Sequence, residues 1–240
     1  MADELPLIHT SRCEFLNAFA TSHTIEPHQC DVFNEDLIYL FYGRPAYRSR
    51  QGSQYGDPIA LCPLCFVFKP RTISRSIHRI FPCDSGAVSK STFEPELHPN
   101  DLHELELDPV IASAQRLVSL IFQSNKDYFY GRVKPGIAFP NGTASQRYSN
   151  LLLRPGPVDF DDRKSAIEVQ LDQTISLKGQ LMFVVLPREF LEDPMVRDTI
   201  STIWGCDAVQ YPTFRGDAPT SYYSVVRNEV SRLFESKGEL

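Results

Sequence analysis

Residues 38–48, IYLFYGRPAYR, join a run of bulky apolar side chains to a stretch that cannot continue a β-strand. Residues 36–41 are typical of a buried strand. Gly43 and Pro45 end its pairing, because glycine weakens a strand and proline cannot donate a ladder hydrogen bond. Arg44 stands between them. The sequence therefore predicts a core strand whose end carries a guanidinium group.

Further strands and helices are expected on both sides of this segment. Helices are predicted at 13–20 and 108–125, with Ser11 and Asp108 as their N-caps, and at 194–204 and 223–235. Residues 84–108 and 128–157 are expected to be irregular. Strands interrupted by such excursions indicate an α+β fold with a mixed sheet. The predicted strands, which are short and rich in apolar residues, are 5–11, 60–68, 77–81, 165–171 and 181–186.

Composition limits the class of protein. The 240 residues are 42% hydrophobic and carry a formal net charge of −6, which suits one soluble domain over residues 1–240 and argues against a generic polyphosphate binder. The first residues lack the basic and apolar regions of a signal peptide, and no apolar run reaches about 18 residues. We therefore expect a cytoplasmic protein without a membrane segment.

The cysteine spacing raises one metal-site question. Cys62 and Cys65 form a CxxC pair, which can supply half of a zinc site. Cys83 and His78 lie nearby, but they form no second CxxC or HxxxH pair. We favour reduced thiols packed at the start of a strand, and we assign no metal.

Three segments together resemble ADP-ribosyltransferases, the NAD-cleaving superfamily that includes diphtheria-like toxins, poly-ADP-ribose polymerases and DarT-type enzymes. LIHTS at 7–11 resembles the family's His-Gly-Thr or His-Phe-Thr strand end. IYLFYGRPAYR resembles its second strand, and SAIEVQ at 165–170 resembles the strand that carries the family's glutamate. The resemblance implies a mixed β-sheet core of two packed sheets with flanking helices.

The resemblance also implies a site for NAD. Glu168 would stabilise the cationic sugar formed when nicotinamide leaves, and Arg44 would hold the pyrophosphate. The alternatives are a solvated Glu168 on an edge strand, and an Arg44 that reaches solvent or pairs with Asp36. We expect His9, Arg44 and Glu168 to surround one cleft. The remaining NAD-binding residues that the resemblance implies are Thr10, Ser11, Tyr47, Arg48 and Gln170.

Two positions depart from the family pattern. Thr10 follows the histidine where glycine is common, and Ala166 stands where the family often has Glu or Gln. Gln170 instead follows Glu168 by two residues, on the same strand face. FPCDSG at 81–86 could shape the pocket or only turn the chain, and we favour the turn.

The implied activity is mono-ADP-ribosylation of a macromolecule, as in a bacterial toxin or antiviral defence effector. The alternatives are an NAD glycohydrolase and a catalytically silent nucleotide-sensing module. Residues 128–157 interleave basic and aromatic side chains, which suits single-stranded nucleic acid but is also typical of a mobile loop. The acceptor, nucleic acid or protein, stays open. So does the presence of an antitoxin or regulatory partner.

Overall fold

A computed structural model describes residues 3–46, 57–73, 76–154 and 162–240. Its strands are β1 (Leu7–Arg12), β2 (Thr24–Ile25), β3 (His28–Cys30), β4 (Glu35–Tyr42), β5 (Pro63–Phe68), β6 (Ile77–Phe81), β7 (Glu168–Leu171), β8 (Ile175–Ser176), β9 (Leu181–Pro187) and β10 (Asp207–Tyr211). Its α-helices are α1 (Leu16–Ser22), α2 (Ser85–Ser89), α3 (Leu102–Leu105), α4 (Ile111–Ile121), α5 (Asn125–Phe129), α6 (Ala144–Leu153), α7 (Pro194–Asp198) and α8 (Tyr222–Lys237).

One mixed sheet of eight strands organises the described residues. Seven of them follow the order β10-β9-β5-β1-β4-β7-β6, and β3 pairs with the outer part of β4. Only β9 and β10 run parallel within this sheet. A separate two-stranded ribbon joins β2 to β8. The expected α+β class is confirmed, but one continuous sheet with a small ribbon stands in place of two packed sheets.

The two halves of the sheet are joined by a short contact between β1 and β4. Their register pairs Leu7 with Tyr42 and Ile8 with Phe41, and it ends there. Beyond this point, the imidazole Nδ1 of His9 lies 2.8 Å from the carbonyl oxygen of Tyr39. We call the place where β1 and β4 separate, between His9 and Tyr39, the seam.

Two apolar clusters cover the two faces of the sheet. Leu40 and Phe66 belong to the larger cluster, which includes the fully buried Trp204. Ile8 belongs to the smaller one, where α8 packs on the sheet through residues such as Phe234. Because side chains alternate along a strand, neighbouring strand residues contribute to opposite clusters. Burial on both faces explains why β5 and β9 are apolar at nearly every position.

Most predicted strands are confirmed, with shifts at their ends. The strand expected at 165–171 begins only at Glu168, because Asp162–Ser165 forms a 3-10 turn before it. Along the chain only β8 separates β7 from β9, but in the sheet three strands lie between them. Four strands were not predicted, because their sequences have no strong apolar pattern: β2, β3, β8 and β10.

The helices differ more from expectation. The first begins as a 3-10 turn at Cys13–Phe15 without a cap from Ser11, and α4 begins at Ile111 without a cap from Asp108. The segments expected to be irregular contain α2, α3 and α6, each of which is short enough to depend on tertiary packing. In the part of the chain described, no helix is long and apolar enough to cross a membrane.

We predict that Gly43→Ala destabilises the fold. Gly43 has φ +65°, and an added Cβ would lie 2.3 Å from Leu5 Cδ1 and 3.0 Å from Leu5 Cβ. Gly136 has φ +75° with nothing within 4 Å, so Gly136→Ala supplies a control with backbone strain alone. We expect urea unfolding to give a loss of about 1 kcal/mol for Gly136→Ala and about 2–4 kcal/mol for Gly43→Ala. Equal losses of unfolding free energy in the two variants would show that the contact with Leu5 adds no destabilisation.

Candidate functional site

A cavity of about 400 Å³ opens at the seam. Its lining includes the predicted residues His9, Thr10 and Ser11 of β1, together with side chains from α1, β2, β3 and β4. The volume lies in the range of small-molecule sites, roughly 300–1,000 Å³. The incomplete pairing of β1 with β4 allows residues from both faces of the sheet to line one space.

His9 supplies the seam with a fixed imidazole. Its Nδ1 faces the carbonyl of Tyr39, which can only accept a hydrogen bond, so Nδ1 carries the proton. The ring stacks on Phe66 at 6.2 Å and meets Phe19 edge-on at 6.5 Å. Burial lowers the pKa of His9 and favours the neutral ring. Nε2 is then a hydrogen-bond acceptor, and it has no partner among the described residues.

Thr10 adds a second polar group that lacks an ordinary partner. Its Oγ1 is buried and makes no hydrogen bond to oxygen or nitrogen in the described part of the chain. The thiol of Cys65, its register partner on β5, is a weak hydrogen-bonding neighbour. Thr10 is therefore a lining residue of the cavity whose hydroxyl is itself buried beside the Cys65 thiol.

The rest of the cavity wall is mainly apolar and aromatic. Phe15 and Phe19 contribute from the helical side, and Tyr39 and Phe41 from β4. The hydroxyl of Tyr39 donates to the sulfur of Cys30 at 2.6 Å, which fixes that ring. Flat rings of this kind suit the heterocyclic rings of a nucleotide.

Glu168 lies one strand away from the cavity. It pairs in register with Phe41, and Gln170 pairs with Tyr39. Directly opposed residues project to the same face of the sheet, so Glu168 stands immediately behind two cavity-lining side chains. Glu168 as a whole is 1% exposed. A ligand in the cavity can therefore reach its carboxyl group only if neighbouring side chains move.

Three donors surround the buried carboxyl group. Ser85 donates from its backbone N–H to Oε2 at 3.1 Å and from its hydroxyl to Oε1 at 2.6 Å. Gln170 Nε2 donates to Oε1 at 2.7 Å. Burial nevertheless raises the pKa of Glu168 to about 8, and the nearby Asp84 charge adds to the increase. The three donors oppose this shift but do not cancel it.

Gln170 completes the cluster. Its Nε2 also approaches the hydroxyl of Ser85 at 3.2 Å, and its side chain is fully buried. Because the oxygens of an ionised carboxylate can only accept, the hydrogen bond to ionised Glu168 assigns the nitrogen end of the amide. Gln170 Oε1 has no partner in the described residues.

Arg44 occupies a separate, buried site beyond the end of β4. Its NH1 donates to the carbonyl of Tyr128 at 3.0 Å and to the hydroxyl of Ser165 at 3.1 Å. NH2 lies 3.4 Å from the carboxylate of Asp162, which also accepts from Arg227 at 3.0 Å. Arg44 is only 2% exposed. The guanidinium thus ties the segment before β7 to the core.

The expected convergence of three side chains on one cleft is not seen. His9 lines the cavity, Glu168 lies behind its β4 wall, and Arg44 is absent from its lining. Because side chains alternate along a strand, His9 and Glu168 project from opposite faces of the sheet. His9 reaches the cavity because the pairing of β1 with β4 stops at the seam. Neither the solvated Glu168 nor an Arg44–Asp36 pair is found. Tyr47 and Arg48, which were predicted to bind NAD, lie outside the described residues.

Two residues of the site were missed or undervalued in the sequence. Ser85 belongs to the FPCDSG segment, which does more than turn the chain. An Asp followed by Ser is a helix-start signal after strand β6, and Asp84 indeed caps α2 through Ala87 N–H. Nothing in the sequence indicated that Tyr39 belongs to the site, apart from its position in a strand rich in aromatic residues.

The cysteine pair is packed in the interior. Cys62 and Cys65 are both free and buried, and burial raises the pKa of Cys62 to about 11 and that of Cys65 to about 12. Zinc binds the thiolate form, which these surroundings disfavour. Within the described ranges, no three His, Cys, Asp or Glu side chains are grouped to hold a metal.

A comparison of the chain with models of known protein families finds no match, and a comparison with curated protein sequences finds none.

We predict that Arg44 contributes mainly to stability. Arg44→Met removes a buried ionic and hydrogen-bonded group and should lower the free energy of unfolding by about 3 kcal/mol, as for other broken buried pairs. Arg227→Met is the control, because Arg227 contacts the same Asp162 but is 43% exposed. It should cost less than about 1 kcal/mol. Urea titration measures the free energy of unfolding of both variants. Similar losses in the two variants would contradict a mainly stabilising role for Arg44.

We also predict a pH-dependent stability difference for Glu168→Gln. The folded-state pKa of about 8 lies above the usual 4.5, so the folded state retains a proton that the unfolded chain loses. The wild-type protein should therefore lose stability relative to Glu168→Gln as pH rises from 5 to 8, by on the order of 2–4 kcal/mol. The test is to measure the free energy of unfolding of both proteins across this pH range. Parallel curves for the two proteins would show that Glu168 titrates normally.

Proposed function

We propose that the seam cavity binds NAD and that the protein is a mono-ADP-ribosyltransferase, which cleaves the nicotinamide–ribose bond and transfers ADP-ribose to nucleic acid or protein. One observation carries the proposal. The cavity is lined by His9, Thr10 and Ser11, and the buried Glu168 lies in register directly behind its β4 wall. These are the segments on which the family resemblance rests.

The cavity residues suit the parts of a dinucleotide. Neutral His9 offers Nε2 to a ribose hydroxyl, and Thr10 and Ser11 line the space next to it. The aromatic walls formed by Phe19, Tyr39 and Phe41 can pack on a heterocycle. Polar groups for orientation within an apolar wall are typical of small-ligand sites.

Glu168 provides the charge that the reaction requires. The electrons of the breaking bond leave with the nicotinamide nitrogen, so the leaving group becomes neutral and needs no general acid. Positive charge develops on the ribose carbon, and a carboxylate beside it stabilises that charge. The acceptor then adds to the same carbon and loses its proton. A positive ligand also favours the ionised form of Glu168.

Access to Glu168 requires a local rearrangement. Tyr39 and Phe41 stand between the cavity and the carboxyl group, so at least one of these side chains must be displaced in the reactive complex. Arg44 supports the site from outside, because it holds Asp162–Ser165, the segment that leads into β7.

A second candidate is a catalytically silent module that binds a nucleotide. This second candidate is supported by the burial of Glu168 and by the hydrogen bonds that Arg44 makes to protein groups. NAD hydrolysis, with water as the acceptor, uses the same chemistry as transfer.

We predict that the protein releases nicotinamide from NAD and that Glu168→Gln slows this release by about a hundredfold or more, since charge stabilisation is lost. Glu229→Gln is the control, because Glu229 lies on α8 and pairs with Arg232. Nicotinamide release is followed by chromatography. Unchanged activity in Glu168→Gln would remove the catalytic assignment, and binding without release would favour the silent module.

The acceptor is identified in the same assay with labelled NAD. DNA, RNA and protein are supplied in separate reactions. Label attached to one polymer supports transfer to that class, whereas nicotinamide release without labelled polymer supports hydrolysis.

A further inference from the structure

Ser85 contacts both oxygens of the Glu168 carboxyl group. The backbone N–H of Ser85 donates to Oε2, and its hydroxyl donates to Oε1. Two donors from one residue fix both the plane and the position of a carboxylate. Ser85 itself is fully buried, so water does not compete for these hydrogen bonds.

The same hydroxyl links Glu168 to Gln170. Gln170 Nε2 lies 3.2 Å from Ser85 Oγ and 2.7 Å from Glu168 Oε1. A consistent chain of donors runs from the Gln170 amide to the Ser85 hydroxyl and on to the carboxylate. The donors all complement the ionised form of Glu168.

The fold holds Ser85 in place from both sides. Ser85 is the first residue of α2, whose N-cap Asp84 accepts from Ala87 N–H at 2.7 Å. The backbone N–H of Asp84 donates to the carbonyl of Arg163 at 3.3 Å, on the segment that precedes β7. Val88 is buried and anchors the helix. The serine therefore has little freedom relative to the strand that carries Glu168.

The charges around the carboxyl group make these donors necessary. Asp84 faces Glu168 from the start of α2 and disfavours its ionisation, and Arg163 lies 3.5 Å from that aspartate. Cys83 and Tyr39 are the other titratable neighbours. The hydrogen bonds that Ser85 and Gln170 donate to Glu168 oppose the effects of burial and of the Asp84 charge.

We propose that Ser85 is the positioning residue for Glu168: it orients the carboxylate and favours its ionised form during cleavage of NAD. This inference rests on the proposed function for its catalytic consequence. Its structural part, a hydrogen bond that favours the carboxylate, is independent of any activity.

The kinetic test compares Ser85→Ala with the wild-type protein. We expect kcat for nicotinamide release to fall by roughly ten- to a hundredfold, with KM changed little, because one charge-assisted hydrogen bond is lost. The pH profile of kcat should also move to higher pH by about one unit. Ser85→Thr, which keeps the hydroxyl, should restore most of the rate and the original profile. Ser89→Ala, at the other end of α2, is the control and should behave as wild type.

An NMR titration tests the inference without NAD. The side-chain carboxyl of Glu168 is observed in protein labelled with ¹³C-glutamate and assigned with Glu168→Gln. Its pKa should be higher by about one unit in Ser85→Ala than in Ser85→Thr or wild type. An unchanged pKa in folded Ser85→Ala would overturn the inference. If the wild type releases no nicotinamide while the pKa moves as expected, the proposed function fails and the pairing of Ser85 with Glu168 is supported.

Discussion

The short contact between β1 and β4 is the constraint on which the site depends. Two register pairs join the halves of an eight-stranded sheet, and further pairing would close the space between the strands. The imidazole of His9 donates to the carbonyl of Tyr39 instead, so a side chain satisfies a backbone acceptor that has lost its strand partner. The cavity is therefore a consequence of how the sheet is joined.

A buried carboxyl group beside this opening is the second feature of the site. Placing Glu168 on a central strand has an energetic cost, because burial and Asp84 both disfavour its charge. The surrounding hydrogen bonds from Ser85 and Gln170 reduce that cost without removing it. Strained or destabilised groups of this kind occur mainly where function requires them, although buried ionisable groups also occur for structural reasons.

Local pattern could predict most of the longer strands. Residues 181–186 are an apolar run and form most of β9, and residues 77–81, a short segment rich in Ile and Phe, form β6. The LIHTS segment could be placed at the end of a core strand because polar residues follow an apolar run. β10 could not be predicted, since most of its residues are exposed and its pairing with β9 depends on tertiary structure.

The contacts within the candidate site were harder to predict from the sequence than the strands were. Arg44 was correctly placed at a strand end, but its partner Asp162 is 118 residues away in sequence, and no local pattern links them. Ser85 was visible as part of a helix start, yet its contact with Glu168 depends on how α2 returns to β7. Such long-range pairing is decided by the topology of the sheet.

Binding of NAD in the seam cavity can be observed by methyl NMR during a titration with NAD. Ile25 and Ile38 line the cavity, whereas Val226 and Val230 belong to α8 and are buried in the smaller apolar cluster. We expect saturable shifts of the methyl signals of Ile25 and Ile38, with those of Val226 and Val230 unchanged. No shift at saturating NAD, or shifts confined to the two valines, would contradict binding of NAD in the cavity.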